Sequence, residues 1–217
     1  MMNVVPRILW IKTMQTNRLA DDPLDVLIIG AGFGGLGMGI RLDKAGISDF
    51  LILDKGHDVG GTWRDNHYPG AACDVPSHLY SFSFAPNAQW TRKYAQQVES
   101  HGYIRRCADQ FGVTPQIRFH SEVASAVFDA ATGVWCVTTS TGETYHARAV
   151  ITATGQLNRP ALPDVPGIDS FRGEVFHSAR WRHDIDLTGK RVAVVGTGAS
   201  AIQFVPAIVP GVKSLVL

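Results

Sequence analysis

The sequence contains little cysteine, which limits the kinds of site that it can build. Three cysteines occur in 217 residues, at Cys73, Cys107 and Cys136, and no two of them form a CxxC pair. Neither a disulfide framework nor a zinc site is therefore predicted, and the dithiol of a disulfide reductase is lacking as well. Widely spaced free thiols are typical of a reducing compartment, and we expect a cytoplasmic protein.

An excess of charge of one sign and long apolar runs are also lacking. The chain has 20 basic and 19 acidic residues and no block of lysine or arginine. Neither a nucleic acid nor a membrane is therefore predicted as a partner. Pro6, Arg7 and Lys12 interrupt the apolar N-terminus before a signal-peptide core develops. We interpret residues 1–22 as a loose N-terminal extension.

Glycine, in contrast, is abundant, and two clusters of it follow short apolar runs. Residues 25–29, DVLII, have the composition of a fully buried parallel strand and precede GAGFGG at 30–35. The same order recurs in RVAVVGTGASA at 191–201, where we expect a buried strand over 192–195. A buried strand, a glycine-rich turn and a helix begin a dinucleotide-binding βαβ unit. We therefore predict an α/β protein with two Rossmann-like dinucleotide-binding units in tandem.

Each glycine of the first cluster has a distinct role in a dinucleotide-binding turn. Gly30 permits a tight turn, Gly32 lets the backbone approach a pyrophosphate, and Gly35 lets the helix pack on the strand. The helix N-terminus supplies free N–H groups and partial positive charge. Asp54 follows the apolar run FLIL at 50–53 and is predicted to accept hydrogen bonds from ribose hydroxyls.

The region between the two units predicts loops, one helix and a small antiparallel meander. Residues 56–92 are rich in glycine, proline, asparagine and aromatic residues, as long functional loops often are. Apolar residues at helical spacing then end at Gly112. Short β-type runs over 117–152 are separated by two turn signals and predict the meander. Three prolines between Pro160 and Pro166 indicate an extended linker.

The segment GGTWRDNHYPG at 60–70, taken with the first glycine cluster, resembles the flavin-dependent monooxygenases that bind FAD and NADPH. The resemblance continues through CDVPSHLYSFSF at 73–84 and ITATGQLNRPALPDVPG at 151–167. FRGEVFHSARW at 171–181 is similar to the FxGxxxHxxxW fingerprint of Baeyer–Villiger monooxygenases. Relatives that oxygenate nitrogen or sulfur usually end this motif in tyrosine or phenylalanine. Arg182 departs from the family pattern, which often has proline or aspartate there.

The resemblance implies a domain organisation. A three-layer FAD-binding domain that carries the meander is implied over 23–157, followed by a linker with the fingerprint over 158–188. The start of an NADPH-binding domain is implied over 189–217. His177 and Trp181 would lie in the linker and relay domain movement rather than make bonds.

The resemblance also implies which residues contact the flavin or its nucleotide. They are Gly30, Gly32, Phe33, Gly34, Gly35, Asp54, Gly61, Thr62, Trp63, Asp74, Tyr80, Val123, Ala153, Thr154 and Gly155. Asp74 is also the candidate catalytic carboxylate, because it would help hold the family's catalytic arginine, which would lie beyond Leu217.

The second unit begins with a GxGxxA motif, and its polar side chains are placed to reach phosphates. The predicted NADPH contacts are Gly196, Thr197, Gly198, Ala199, Ser200, Ala201 and Gln203. In the first unit Asp54 follows Gly30 by 24 positions, and the same spacing from Gly196 leads past Leu217. The residue that separates NADPH from NADH would therefore lie outside the sequence, and we interpret the second unit as truncated.

The function implied by the resemblance is a monooxygenase that uses FAD, NADPH and O2. The first hypothesis is Baeyer–Villiger oxidation of ketones to esters or lactones. Two alternatives remain open: a flavin monooxygenase that oxygenates nitrogen or sulfur, and, for the 217-residue chain by itself, a catalytically inactive FAD-binding fragment. The expected partners are a small ketone or soft heteroatom compound and O2, and no metal ion is implied.

Overall fold

The computed structural model describes Ala20 and residues 22–217. The extension predicted over 1–22 therefore lies outside the described residues, apart from Ala20 and Asp22.

The described chain alternates strands and helices in the order expected of an α/β protein. The elements are β1 Leu24–Ile29, α1 Phe33–Lys44, β2 Phe50–Leu53, α2 Thr62–Asp65, α3 Gln97–Gln110, β3 Ile117–Arg118, β4 Val123–Asp129, β5 Val134–Thr139, β6 Thr144–Thr152, β7 Arg191–Ala193, α4 Ala199–Ile208 and β8 Ser214–Val216. Short 3-10 turns lie at Ser77–Leu79, Thr114–Gln116, Ile168–Ser170 and Ser178–Arg180.

Six strands form one mixed sheet in the order β3-β2-β1-β6-β5-β4. The central strand β1 pairs in parallel with both β2 and β6. Its side chains are covered on both faces, and Leu27 and Ile28 are fully buried. Such a strand needs apolar residues at successive positions, which explains the run DVLII. In a parallel sheet, ligands bind at the carboxyl ends of adjacent strands whose connecting segments leave in opposite directions. In this sheet that point is the carboxyl end of β1, which lies between β2 and β6.

The antiparallel meander is confirmed for β4, β5 and β6, but the first run assigned to it, Ile117–Arg118, pairs in parallel with β2 instead. The last strand of the meander also completes the parallel part of the sheet. The first half of β6 pairs antiparallel with β5. The strand is long enough to continue along β1, so Ala147 is opposite both Trp135 and Leu24. The meander is therefore continuous with the nucleotide-binding sheet.

Helix α3 covers one face of this sheet. It begins at Gln97 and ends at Gln110, close to the stop predicted at Gly112. Tyr103, Ile104 and Cys107 are buried in the core cluster that α3 shares with β1 and β2. The helix thereby supports the loops at the carboxyl ends of those strands.

The second unit contains a two-stranded parallel sheet of β7 and β8, covered on one side by α4. The prediction of a buried strand over 192–195 was wrong. The strand ends at Ala193, Val192 is half-buried, and Val195 is 81% exposed. The reason is that α4 packs on only one face of the two-stranded sheet, so the opposite face of β7 is not covered.

Candidate functional site

A cavity of about 340 Å³ lies at the carboxyl ends of β1, β2 and β6. This is the size range and position of a ligand site in an α/β fold. Most of the residues predicted for the first nucleotide site line it. They are Gly30, Gly32, Phe33, Gly34, Asp54, Gly61, Thr62, Trp63, Tyr80, Val123, Ala153, Thr154 and Gly155.

The glycines of the first turn allow backbone segments to approach each other closely. Gly30 has a φ of +107°, and a Cβ on it would lie 2.5 Å from the carbonyl oxygen of Ala153. A Cβ on Gly35 would lie 1.8 Å from the carbonyl oxygen of Gly30. Gly35 therefore packs behind the turn, as the helix-packing prediction requires, and does not line the cavity.

Asp54 is buried at the end of β2 and is held by three donors. Its Oδ2 accepts a hydrogen bond from the N–H of Ala31 at 2.7 Å. Its Oδ1 accepts from the N–H of Gly56 and from Nη1 of Arg64, each at 2.7 Å. The carboxylate is thus placed beside the turn that follows β1.

Arg64 forms a buried ion pair with Asp54, and their side chains are 6% and 7% exposed. Burial by itself lowers the pKa of this guanidinium. The hydrogen bond to Asp65 and the charge of Asp54 outweigh that effect and raise the pKa above its ordinary value. Arg64 is therefore always charged, and it neutralises the carboxylate beside the cavity.

Trp63 and Tyr80 form an aromatic wall of the cavity. Their rings meet edge-on with centroids 5.6 Å apart, and Trp63 Nε1 donates a hydrogen bond to the Tyr80 hydroxyl at 3.1 Å. Burial raises the pKa of Tyr80, so its hydroxyl stays protonated at neutral pH. Since that oxygen already accepts from Trp63, its own O–H is available to donate to a ligand.

Helix α3 supports Gly60 and the short helix α2, which carries Trp63. The Nε2 of His101 donates to the carbonyl oxygen of Val59 at 2.9 Å, and the Gln97 side chain donates to the carbonyl oxygen of Trp63. A Cβ on Gly60 would lie 2.7 Å from the His101 ring, which explains the glycine there. These contacts hold the cavity wall to the core.

Several cavity residues were not singled out from the sequence. They are Ile29, Leu53, Lys55, Gly60, Arg64, Asp65, Ser121, Glu122, Leu157, Asn158 and Arg159. Gly60, Arg64 and Asp65 lie inside GGTWRDNHYPG, and Leu157, Asn158 and Arg159 lie inside ITATGQLNRPALPDVPG, so these two motifs carried the signal that could have found them. Ile29 and Leu53 end the two apolar strands β1 and β2. Lys55, Ser121 and Glu122 each adjoin a predicted residue or its neighbour, and nothing in their residue types singles them out.

Asp74, the candidate catalytic carboxylate, is exposed and does not line the cavity. The fingerprint residues lie in the segment between β6 and β7. His177 accepts a hydrogen bond from the N–H of Ala179 through Nδ1 at 3.0 Å. Trp181 packs against Phe176 and Phe204, each with a ring centroid distance of 5.3 Å. Trp181 thus connects the linker to α4.

The turn before α4 has the predicted shape. Gly196 has a φ of +112°, residues 196–199 are exposed, and the helix begins at Ala199. Thr197 and Ser200 lie in this turn and the first residues of the helix, and Ala201 is buried beneath it.

Gln203 does not point toward that turn, and its predicted role in reaching a phosphate needs correction. Its Oε1 accepts from the Tyr68 hydroxyl at 2.9 Å, and its Nε2 donates to the carbonyl oxygen of Ala72 at 2.8 Å. The backbone of α4 approaches Gly70 so closely that a Cβ there would lie 2.5 Å from the Gln203 carbonyl oxygen. This approach directs the amide into the loop of the first unit.

Two further features concern the whole described chain. Among Ala20 and residues 22–217, no group of three or more His, Cys, Asp or Glu side chains could hold a metal ion. Within the same residues, no helix combines the length and apolar character that crossing a membrane requires.

The thiols differ in accessibility, which leads to a labelling prediction. Cys73 and Cys107 are 3% and 2% exposed, and burial raises the pKa of each. Both therefore carry less thiolate at pH 8 than a free cysteine does. Cys136 is half-buried in β5. We expect one thiol to react rapidly with a disulfide reagent in the native protein and three after denaturation. Rapid reaction of all three, or labelling mapped by mass spectrometry to Cys73, would contradict this.

The chain is similar to known proteins over most of its length. A model of the family described as pyridine nucleotide-disulphide oxidoreductase matches residues 27–209. A Baeyer–Villiger monooxygenase of Streptomyces coelicolor is 55% identical over 192 residues, which cover 88% of this chain and 37% of that protein.

Solved structures of monooxygenases share the fold. The crystal structure of OTEMO in complex with FAD and NADP superposes with a TM-score of 0.82 at 38% identity, over 88% of this chain and 38% of that one. A cyclohexanone monooxygenase with bound ε-caprolactone gives a TM-score of 0.82 at 37% identity, over 89% of this chain and 39% of that one. The chain spans less than two fifths of the length of each of these proteins.

Proposed function

Because the chain belongs to the pyridine nucleotide-disulphide oxidoreductase family and corresponds to the N-terminal part of Baeyer–Villiger-type monooxygenases, we propose that it is the FAD-binding portion of such an enzyme. The enzyme uses NADPH and O2 and converts ketones to esters or lactones. The observation that carries the proposal is the glycine-lined cavity beside Asp54, at the carboxyl end of β1.

The residues of this cavity fit an FAD molecule. Gly32 and Gly61 face each other, and a Cβ on Gly61 would lie 3.2 Å from the Cα of Gly32. Side chains at either position would fill the gap through which a diphosphate approaches the N-terminus of α1. That terminus offers backbone N–H groups and partial positive charge. Asp54 supplies an acceptor on the ribose side, and the paired Arg64 keeps the site free of an uncompensated negative charge.

Bound flavin would supply the electron transfer and oxygen activation that no amino-acid side chain provides. The chain's own residues bind and orient it. Trp63 and Tyr80 form an apolar wall that excludes water, and the Tyr80 O–H remains available as a donor. The loop of Ala153 and Thr154 closes the cavity against Gly30.

The second unit would hold NADPH at the turn that precedes α4. Its Gly196 and the exposed N-terminus of α4 have the geometry of a phosphate-binding turn. Two nucleotide sites in one chain are suited to hydride delivery from a nicotinamide to a flavin. Trp181 favours the Baeyer–Villiger type over nitrogen or sulfur oxygenation, since the fingerprint of those relatives usually ends in another aromatic residue.

Flavin retention tests the cofactor part of the proposal. The purified 217-residue chain, refolded with excess FAD, is expected to keep about one yellow flavin per chain through gel filtration and to melt at a higher temperature than the apoprotein. A colourless protein with no thermal shift would reject FAD binding.

Catalysis is tested on the product of the complete reading frame, with a cyclic ketone and a thioether as alternative substrates and NADPH as reductant. Formation of the lactone supports the proposed reaction. Formation of the sulfoxide without any lactone would assign the enzyme to the heteroatom-oxygenating type.

A further inference from the structure

The carboxylate of Asp54 is almost fully engaged before any ligand reaches it. Its Oδ1 accepts from Gly56 N–H and Arg64 Nη1, and its Oδ2 accepts from Ala31 N–H. All three distances are 2.7 Å. A carboxylate has about four lone-pair positions. Three are occupied by the protein, so one remains, on Oδ2.

Arg64 cannot release its position on Asp54 easily. Its Nη1 also donates to the carbonyl oxygen of Asp58 at 2.6 Å, and its Nε donates to Asp65 at 2.7 Å. The guanidinium lies against the backbone of Gly56, where a Cβ would approach its central carbon to 2.1 Å. The glycine at 56 therefore makes the space that the arginine occupies. This arrangement holds Oδ1 away from any ligand.

We propose that Arg64 is a positioning residue that restricts Asp54 to one hydroxyl of the adenosine ribose of FAD. The inference rests on the proposed FAD site, and it refines the expectation that Asp54 binds the ribose hydroxyls without distinction. With Oδ1 occupied, the carboxylate accepts from one hydroxyl through Oδ2, and the neighbouring hydroxyl gains nothing from it. The site therefore discriminates between the two hydroxyls of the ribose.

The test compares FAD with its 2′-deoxyadenosine and 3′-deoxyadenosine analogues, titrated into apoprotein and followed by flavin fluorescence. One analogue is expected to bind about 10-fold or more weakly than FAD, because a hydrogen bond to a charged acceptor is lost. The other is expected to bind within about 2-fold of FAD. Equal losses for both analogues, or no loss for either, overturn the proposal.

Displacing Arg64 should change the relative affinities of the two deoxy analogues, and not only the affinity for FAD. In Arg64→Met, Oδ1 becomes available, so both analogues should lose affinity to a similar extent. Gly56→Ala keeps every charge and pushes the guanidinium aside, and it should have the same effect. The matched control is Arg148→Met, an exposed arginine that pairs with Asp25 at the start of β1, far from the cavity. It should discriminate as the unaltered protein does.

The outcomes separate this inference from the proposed function. If FAD itself fails to bind, both are rejected. If FAD binds and the analogues are not distinguished, only the restriction on Asp54 is rejected. Discrimination that persists unchanged in a folded Gly56→Ala protein would show that Arg64 does not cause it. If Arg64→Met does not fold, the analogue comparison in the unaltered chain and in Gly56→Ala still decides.

Discussion

Replacing Gly35 with alanine is expected to prevent the first nucleotide-binding unit from folding with flavin bound. The added Cβ would lie 1.8 Å from the carbonyl oxygen of Gly30 and 2.9 Å from its carbonyl carbon. Both are backbone atoms, so no side-chain rotation relieves the overlap. The turn between β1 and α1 would have to move, at a cost of about 3 kcal/mol or more. We expect insoluble protein, or a greatly lowered melting temperature and no retained flavin.

Gly102→Ala is the matched control for this substitution. Gly102 also lies in a helix, but the nearest atom to a Cβ there is the flexible Nη1 of Arg106 at 3.5 Å. Alanine favours a helix over glycine by about 1 kcal/mol, so this variant should be as stable as the original or more so. A Gly35→Ala protein that melts normally and retains flavin would show that the helix does not need its close approach to the turn.

Asp54→Ala is expected to lower the free energy of unfolding by about 3–5 kcal/mol, as removal of one partner of a buried ion pair does. The substitution leaves the N–H groups of Ala31 and Gly56 without their acceptor and removes one of the two carboxylates that neutralise Arg64. Urea unfolding of the apoprotein measures this effect independently of any cofactor. Flavin retention should fall in the same variant.

The control is Asp184→Ala, which removes a carboxylate from a hydrogen-bonded arginine ion pair on the surface. Asp184 binds Arg182 through two hydrogen bonds of 2.8 and 2.6 Å, and this hydrogen bonding lowers the pKa of its carboxyl to about 2. Both groups are exposed, so water and salt screen the pair. We expect no measurable change in the urea midpoint. Equal destabilisation by the two substitutions would contradict the importance of burial at Asp54.

The parallel strands could be predicted from the sequence because their signal is local. A short apolar run followed by glycines has few other structural solutions, and both β1 and β2 were found where expected. The pairing of β6 with β1 could not be predicted in the same way. It depends on the register between segments far apart in the chain, which neither alternation nor composition reveals. The exposure of Val195 depends likewise on which elements cover β7.

The site could be predicted in outline and not in its hydrogen bonding. Glycines and Asp54 follow strands at known spacings, so their common location follows from the fold. The partners of Asp54 depend on how closely α2, which carries Arg64, approaches the end of β2. Gln203 has a residue type suited to phosphates, yet the approach of α4 to Gly70 directs it to the first unit. Such contacts result from tertiary packing.

The position of β6 between β1 and β5 has a consequence for the order of folding. β1 is made well before its second neighbour, β6, which includes Ala147 and Ile151 and follows three helices and four other strands later in the chain. Closing a loop of that length costs entropy before the contact contributes anything. On the ribosome, one edge of β1 therefore remains unpaired until β6 has emerged. We expect the nascent chain to capture its cofactor only after that step.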